Sequence, residues 1–450
     1  MTERLLQFIW QFQYFNKRHL HTADGESLQI IQPGQFNSNQ GPDFLDARIR
    51  IGDTILAGNI ELHLNEADWN RHAHQHDPNY RNIILHVLWD QPLQVQLALP
   101  TISIKDRVPK LLLQRYEELM HNQSFVPCAN SLYDANGLQQ VSDLVWLGWK
   151  ERLLVERLLR KTAIIEQYLV QSNNHWEEVC WWMLARNFGI PINADAFEAV
   201  ARSLPLTLLA RHRTHLHQLE ALLLGQAGLL NKDFEDAHAS MLAKEYRFYK
   251  TKYQLQPLAV PVHFLRMRPG NFPTIRLAQL AMLLHTTTAI FSQLKEGGSA
   301  KDLCAVLQVT AGDYWHTHYR LDEATAFNKK TLGSQTIENI IINTVAPVLF
   351  AYGYLKQEPQ YTEKALDMLE QLGPEKNAIT QQWSAIGMLN QDAWDSQALI
   401  ELKKEYCDKK RCLECVVGNS LLKGDEKHQP AGSLTGQLNS TFTSISGCML

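Results

Sequence analysis

The spacing of apolar residues changes once along this chain, and that change limits what it can fold into. As far as Trp89 the apolar residues come in short alternating or continuous runs, whereas from Pro109 onward they recur every three to four positions. A period of two belongs to strands and a period of 3.6 to helices, so the sequence predicts the α+β class, a sheet-bearing N-terminal part followed by a mostly α-helical region. Residues 3–16 read as an amphipathic helix with Leu5, Leu6, Ile9, Trp10 and Phe12 on its apolar side. A strand (SLQII), a loop (QPGQFNSNQGP), two alternating strands, a helical or irregular piece (EADWNRHAHQH) and an apolar strand (NIILHVLW) follow, giving the order α-β-β-β-α-β. Between Ile83 and Trp89 the only polar residue is His86, which suits a strand in the middle of a sheet.

The long helical periods, such as VWLGWKERLLVERLLRKTAIIEQYL and NIIINTVAPVLFAYG, are separated by Pro and Gly stops, and no internal repeat is visible. These shifts predict an α/β domain over 1–108, a helical domain over 109–404, a cysteine segment over 405–422 and a flexible polar tail over 423–450. The composition, 45% hydrophobic and 20% charged, is that of a globular protein. No run of 18 apolar residues predicts a membrane span, and the N-terminus lacks the features of a signal peptide. With 7 thinly scattered cysteines, an odd number, reduced thiols and a cytoplasmic location are expected. The net charge of -4 leaves any nucleic-acid partner to local basic patches.

Within GPDFLDARIRIGDTILAGNIELH, Gly52-Asp53 suits a two-residue hairpin turn pairing Ile51 with Thr54, Arg48 with Ala57 and Asp46 with Asn59. One face then carries Leu45, Ala47, Ile49, Ile51, Leu56, Ile60 and Leu62, and the other Asp46, Arg48, Arg50, Asn59, Glu61 and His63. A three-residue turn would instead put Glu61 and His63 with the apolar set. On the even register Asp46 and Glu61 are diagonal neighbours about 7 Å apart, close enough to share a hard divalent cation, Mg²⁺ or Mn²⁺. Strict alternation points Asp43 the other way, but Gly41 and Pro42 make that end irregular, and a bulge would bring it round.

Pro42-Asp43 followed by Glu61-x-His63, together with the element order, resembles the PD-(D/E)xK nuclease superfamily and its restriction-endonuclease-like fold. The resemblance implies that Asp43 and Glu61 hold the metal and that His63 stands where the superfamily has its lysine. Neutral imidazole can bind metal or accept a proton, but it lacks the fixed charge of lysine. The plain alternative is the polar outer face of an ordinary hairpin.

His63, His72, His74, His76 and His86 take 5 of the chain's 18 histidines into one short region, together with Asp68 and Asp77. On a helix His72 and His76 are four apart and can clamp a transition metal; in an extended segment His72, His74 and His76 share a face. His72, His74 and Asp77 are therefore candidate ligands beside Asp43, Asp46 and Glu61, although His86 within an apolar strand reads more simply as a satisfied core histidine. Cys407, Cys412 and Cys415 form C-x4-C-x2-C, with Lys409, Lys410 and Arg411 favouring thiolates, and predict Zn²⁺ or an iron–sulfur cluster. Cys128, His428 or Cys448 can supply a fourth ligand. Arg266, Arg268 and Arg276 surround a Pro-Gly-Asn-Phe-Pro loop that opens a helix, a candidate phosphate seat, though such arginines more often tie a loop to nearby carboxylates. Lys150, Arg157, Arg160 and Lys161, with glutamates between, read as a solvated helix face.

Along nearly its whole length the chain resembles a bacterial family catalogued as domain of unknown function 2851, through GPDFLDARI, GNIELHLNEADWNRHAHQHDPNYRNIILHV, LARNFGIPIN, RMRPGNFPTIRLAQLA, INTVAPVLFAYG and YCDKKRCLECVVG. That resemblance brings no activity. The carboxylate pair, together with what the PD-(D/E)xK resemblance implies, leads to the expectation of a divalent-metal-dependent nuclease or phosphodiesterase acting on nucleic acid. A non-catalytic nucleic-acid-binding or scaffold protein, with a degenerate nuclease fold and a structural metal at the cysteines, is the second expectation, and a zinc hydrolase built on the histidines the third.

Overall fold

The computed structural model describes residues 1–37, 39–72, 77–91, 99–133, 140–265 and 267–423. Its backbone contacts divide the chain into two compact units, one made of residues 1–149 with the described residues from 402 onward, the other of residues 150–401. The cysteine segment thus belongs with the N-terminal unit. The tail expected beyond residue 423 lies outside the described residues.

In the first unit, α1 (Glu3–Gln11) starts because the Thr2 hydroxyl accepts the Leu5 N–H at 3.2 Å, and Glu3 suits the positive helix end. It ends earlier than its periodicity predicts. Gln13 turns left-handed (φ 55°), and the Gln13 and Tyr14 amides bond back to Trp10 and Ile9 in a Schellman closure. Leu5, Leu6, Phe8, Ile9 and Trp10 are buried, and α1 lies against the sheet.

The sheet comprises β1 (Leu20–His21), β2 (Ser27–Gln32), β3 (Gln35–Phe36), β4 (Phe44–Ile51), β5 (Thr54–His63), β6 (Ile83–Leu88) and β7 (Thr101–Ser103). Its order is β1-β2-β4-β5-β6-β7, with β3 beside β4. The first strands pair antiparallel, and β5-β6 and β6-β7 pair parallel, so the sheet is mixed. The short β3 arises inside the stretch read as loop, where Gln35 and Phe36 pair with Leu45 and Phe44. Every residue of β6 is buried, as its continuous apolar run requires. After β5 comes α2 (Ala67–Arg71), which stops at the cap residue His72. Helices α3 (Lys110–His121) and α4 (Asp143–Gln171) follow.

The hairpin pairs Ile51 with Thr54 and Arg48 with Ala57, as the Gly52-Asp53 turn predicts. Beyond Ala47 the register slips by one residue, so that Phe44 pairs with Ile60. Asp46 takes a left-handed conformation (φ 57°) at this bulge. Gly58 matters at the β5–β6 junction, because a Cβ there would stand 2.6 Å from the Asn82 carbonyl oxygen and 2.6 Å from Ile84 Cγ2. Backbone cannot yield as a side-chain tip can. Gly58→Ala should therefore cost about 1–3 kcal/mol, read as a lower urea midpoint.

In the second unit the helices are long and apolar, among them Trp176–Phe188, Leu216–Gln226 and Pro273–Thr286. The solvated face expected for Arg157 is corrected here. Arg157 is buried; its Nε donates to Gln397 Oε1 at 2.5 Å and its Nη1 to Glu401 Oε2 at 3.3 Å. Arg160 also binds Glu401, and Lys150 pairs with Asp395. The acceptors sit far along the chain, which helical spacing alone does not reveal. Among the described residues no helix is long and apolar enough to cross a membrane.

Candidate functional site

The bulge in β4 assembles the carboxylates. Because the slip falls at Leu45–Asp46, Asp43 comes beside Glu61: its backbone N–H donates to Glu61 Oε2 at 3.0 Å, and its own Oδ2 accepts the Leu62 N–H at 3.0 Å. From α1, Gln7 Nε2 donates to Asp43 Oδ1 at 2.8 Å. Asp46 is turned away and exposed, its N–H 3.4 Å from Asn59 Oδ1. The expected sharing of one ion by Asp46 and Glu61 is therefore corrected, for the bulge that brings Asp43 in is the one that puts Asp46 out.

Burial pushes the Glu61 carboxyl well above its ordinary range, and the neighbouring Asp43 adds to it. Asp43 is also raised, first by burial and further by Glu3, while the Leu62 N–H and Gln7 hold it back. Tyr80 stands within the field of both carboxylates, and its phenol is raised by burial and then by them. Two desolvated acids side by side, one buried and one half-buried, keep a proton between them unless a cation replaces it.

His63 lies two residues after Glu61 on the same side of β5, with Nε2 3.6 Å from Glu61 Oε1. Its Nδ1 meets His86 Nε2 at 2.8 Å, one ring donating and the other accepting. His86 sits opposite Glu61 in the parallel β5–β6 register. The His63 ring packs 5.3 Å from the ring of His72, which is exposed, and 6.3 Å from that of Trp69. The polar outer face expected of the hairpin is thus covered at this end: Glu61 is 5% exposed and His63 1%. Asp77 serves as the cap of the turn Pro78–Tyr80, its Oδ1 accepting the Asn79 N–H at 2.9 Å. Asp68 pairs with Arg71 at 2.9 Å. His74 and His76 lie outside the described residues. Among the described residues no three His, Cys, Asp or Glu donors stand converged on one ion position. A pair of carboxylates still fits Mg²⁺, which keeps most of its waters and takes one or two carboxylates.

A family profile described as a protein of unknown function, DUF2851, matches residues 3–378. The chain belongs to this family. No curated protein and no solved structure matches it. The DUF2851 match takes in Asp43, Glu61, His63, His72 and Cys128 and ends before YCDKKRCLECVVG, so that segment lies outside the matched region.

Within the same matched stretch, Arg268 is exposed and Arg266 lies outside the described residues. Arg276 is buried and turned inward, to Asn271 Oδ1 at 2.6 Å, Thr336 Oγ1 at 3.1 Å and Gln279 Oε1 at 3.2 Å; burial lowers its pKa to about 10. Cys412 and Cys415 are buried and Cys407 half-buried. Their basic neighbours are occupied: Lys409 pairs with Glu405 at 2.5 Å, Arg411 Nε donates to Glu414 at 2.8 Å, and Lys410 reaches the Met120 carbonyl. Burial pushes all these thiols up, Cys412 to about 12, so the thiolate character expected from Lys409, Lys410 and Arg411 is not produced by them.

Sequence reasoning passed over Glu3, Gln7 and Tyr80. Glu3 and Gln7 are four apart, so the polar side of α1 carried a signal. Tyr80 had none, because its approach depends on the connection between β5 and β6.

Proposed function

We propose that the Asp43–Glu61 pair holds Mg²⁺ or Mn²⁺ and that the protein hydrolyses a phosphodiester of nucleic acid. The observation that carries this reading is the bulge that sets the half-buried Asp43 beside the buried Glu61, hydrogen-bonded through the Asp43 amide, with an imidazole beside them. A bound divalent ion supplies Lewis acidity and lowers the pKa of its water. The chain's own residues do the rest. Gln7 and the Leu62 amide fix the Asp43 carboxylate, so that it faces Glu61 without rearrangement. His86 fixes the orientation of His63, whose Nε2 stands beside Glu61 and is placed to take a proton from attacking water. The likeness to PD-(D/E)xK nucleases supports the substrate class. The histidine in the lysine position favours a second reading, a nucleic-acid-binding scaffold that keeps the metal pair without turnover.

Incubation of the full chain with single- and double-stranded DNA and RNA, with Mn²⁺ or with EDTA, tests the proposal. Divalent-dependent cleavage is expected; metal binding without cleavage by any preparation would select the scaffold.

Stability should depend on pH in a way the metal reverses. Asp43 and Glu61 have raised folded-state pKa values, so the folded protein binds more protons than the unfolded one above the ordinary carboxylate range. Their contribution is complete below that range and is lost as pH rises through the raised values. In EDTA the melting temperature should fall over this window, and saturating Mn²⁺ should restore it, with release of about one proton per ion near neutrality. Calorimetry in buffers of different ionisation enthalpy measures the proton.

A further inference from the structure

The three cysteines near the C-terminal end of the described chain do not stand alone. Cys128, at the start of the turn Ala129–Ser131, lies within the electrostatic reach of Cys412 and Cys415, and Cys407 within that of all three. Particular contacts bring these distant segments together. Lys410 Nζ donates to the Met120 carbonyl at the end of α3, Lys403 Nζ lies 5.0 Å from the Phe125 ring, and the helix Val416–Lys423 packs on α3. Asn122 Nδ2 donates to the Pro127 carbonyl at 2.8 Å and sets the turn that presents Cys128.

A second observation concerns the sulfur of Cys415. The Val417 and Gly418 amides and the Trp149 indole stand close enough to Cys415 to favour its charged form against the burial that opposes it. Donors of this kind stabilise a charged, ligating sulfur, and a neutral buried thiol does not require them. Their placement depends on a close approach, since a Cβ on Gly418 would fall 2.2 Å from the Cys412 carbonyl oxygen. No disulfide joins any of the four.

We propose that Cys128, Cys407, Cys412 and Cys415 are the four ligands of an iron–sulfur cluster that ties the segment after residue 401 to the N-terminal unit. Their spacing favours a cluster over a single zinc, since C-x4-C-x2-C with a fourth cysteine elsewhere in the chain is the ligand pattern of a plant-type [2Fe–2S] centre. The proposal is independent of phosphodiester chemistry, and its test needs no activity.

The full chain, purified without oxygen or reconstituted with ferrous iron and sulfide, should contain iron and acid-labile sulfide in equal amounts and show broad visible charge-transfer absorption. Cys128→Ala should lose the absorption and most of the iron, while Cys304→Ala, in the other unit, should keep both. Should Cys128→Ala fail to fold, elemental analysis of the native chain still decides: zinc without iron, or no metal, overturns the cluster. Full iron retained in folded Cys128→Ala overturns the assignment of the fourth ligand.

Discussion

Glu61→Gln should abolish divalent-dependent cleavage while leaving the metal-free protein folded. Glu61 is almost wholly buried, and its carboxyl is pushed up by that burial and by Asp43. Without metal it is neutral near physiological pH, so glutamine, neutral and of nearly the same shape, replaces it at little cost. The acceptor of the Asp43 N–H at 3.0 Å is retained, since the glutamine side chain offers a carbonyl oxygen in the same place. What is lost is the second negative charge for the cation. A divalent ion held there would supply several kcal/mol of transition-state stabilisation, so the turnover rate should fall by about 10³-fold or more. The rise in melting temperature with Mn²⁺ should disappear in parallel. Asp46→Asn is the contrasting variant: Asp46 is exposed on the far side of the bulge and should leave both readouts unchanged. Wild-type cleavage rates in Glu61→Gln would remove the carboxylate pair from the chemistry.

That contrast shows how far the sequence could be read. Alternation and the Gly52-Asp53 turn fix the pairing as far as Ala47, because each residue there has one buried face to satisfy. The next step rests on one backbone conformation. Asp46 turns left-handed and the register slips, so that of the two acids the sequence offers to Glu61 it is Asp43 that comes beside it. Aspartate tolerates that conformation better than most residues, but nothing local requires it. The helical region shows the same boundary. Spacing predicts that residues 145–169 are helical, and α4 extends two residues beyond them at each end, yet the identification of Arg157 with a wet face fails because its partners, Gln397 and Glu401, arrive from the far end of the unit. Likewise C-x4-C-x2-C is legible as a thiol set, whereas the nearness of Cys128 to it depends on how α3 meets the later segment, and His428 and Cys448 lie outside the described residues.

The buried charges around Glu401 carry the largest expected effect on stability. Glu401 is 2% exposed and accepts from two arginines: Arg157 Nη1 at 3.3 Å and Arg160 Nε at 3.3 Å. Arg157 is 9% exposed, and its pKa is lowered by burial and held up by Glu401. Glu401→Ala removes the one carboxylate bonded to both guanidinium groups. Arg160 is half exposed and can turn to water, but the hydrogen-bond acceptor left to Arg157 is the neutral Gln397 at 2.5 Å, with Glu375 acting on it only as a more distant charge. Leaving a buried charge without its bonded partner costs about 3–5 kcal/mol, so Glu401→Ala should lower the unfolding free energy of the helical unit by up to that amount, read as a lower denaturation midpoint. Glu401→Gln should cost less, since it keeps an acceptor and loses only the charge. Combining Glu401→Leu with Arg157→Met separates the charge from the packing, because two apolar side chains of similar volume in place of the pair should recover most of the loss. If the double variant is as unstable as Glu401→Ala, the network acts through shape and not through charge.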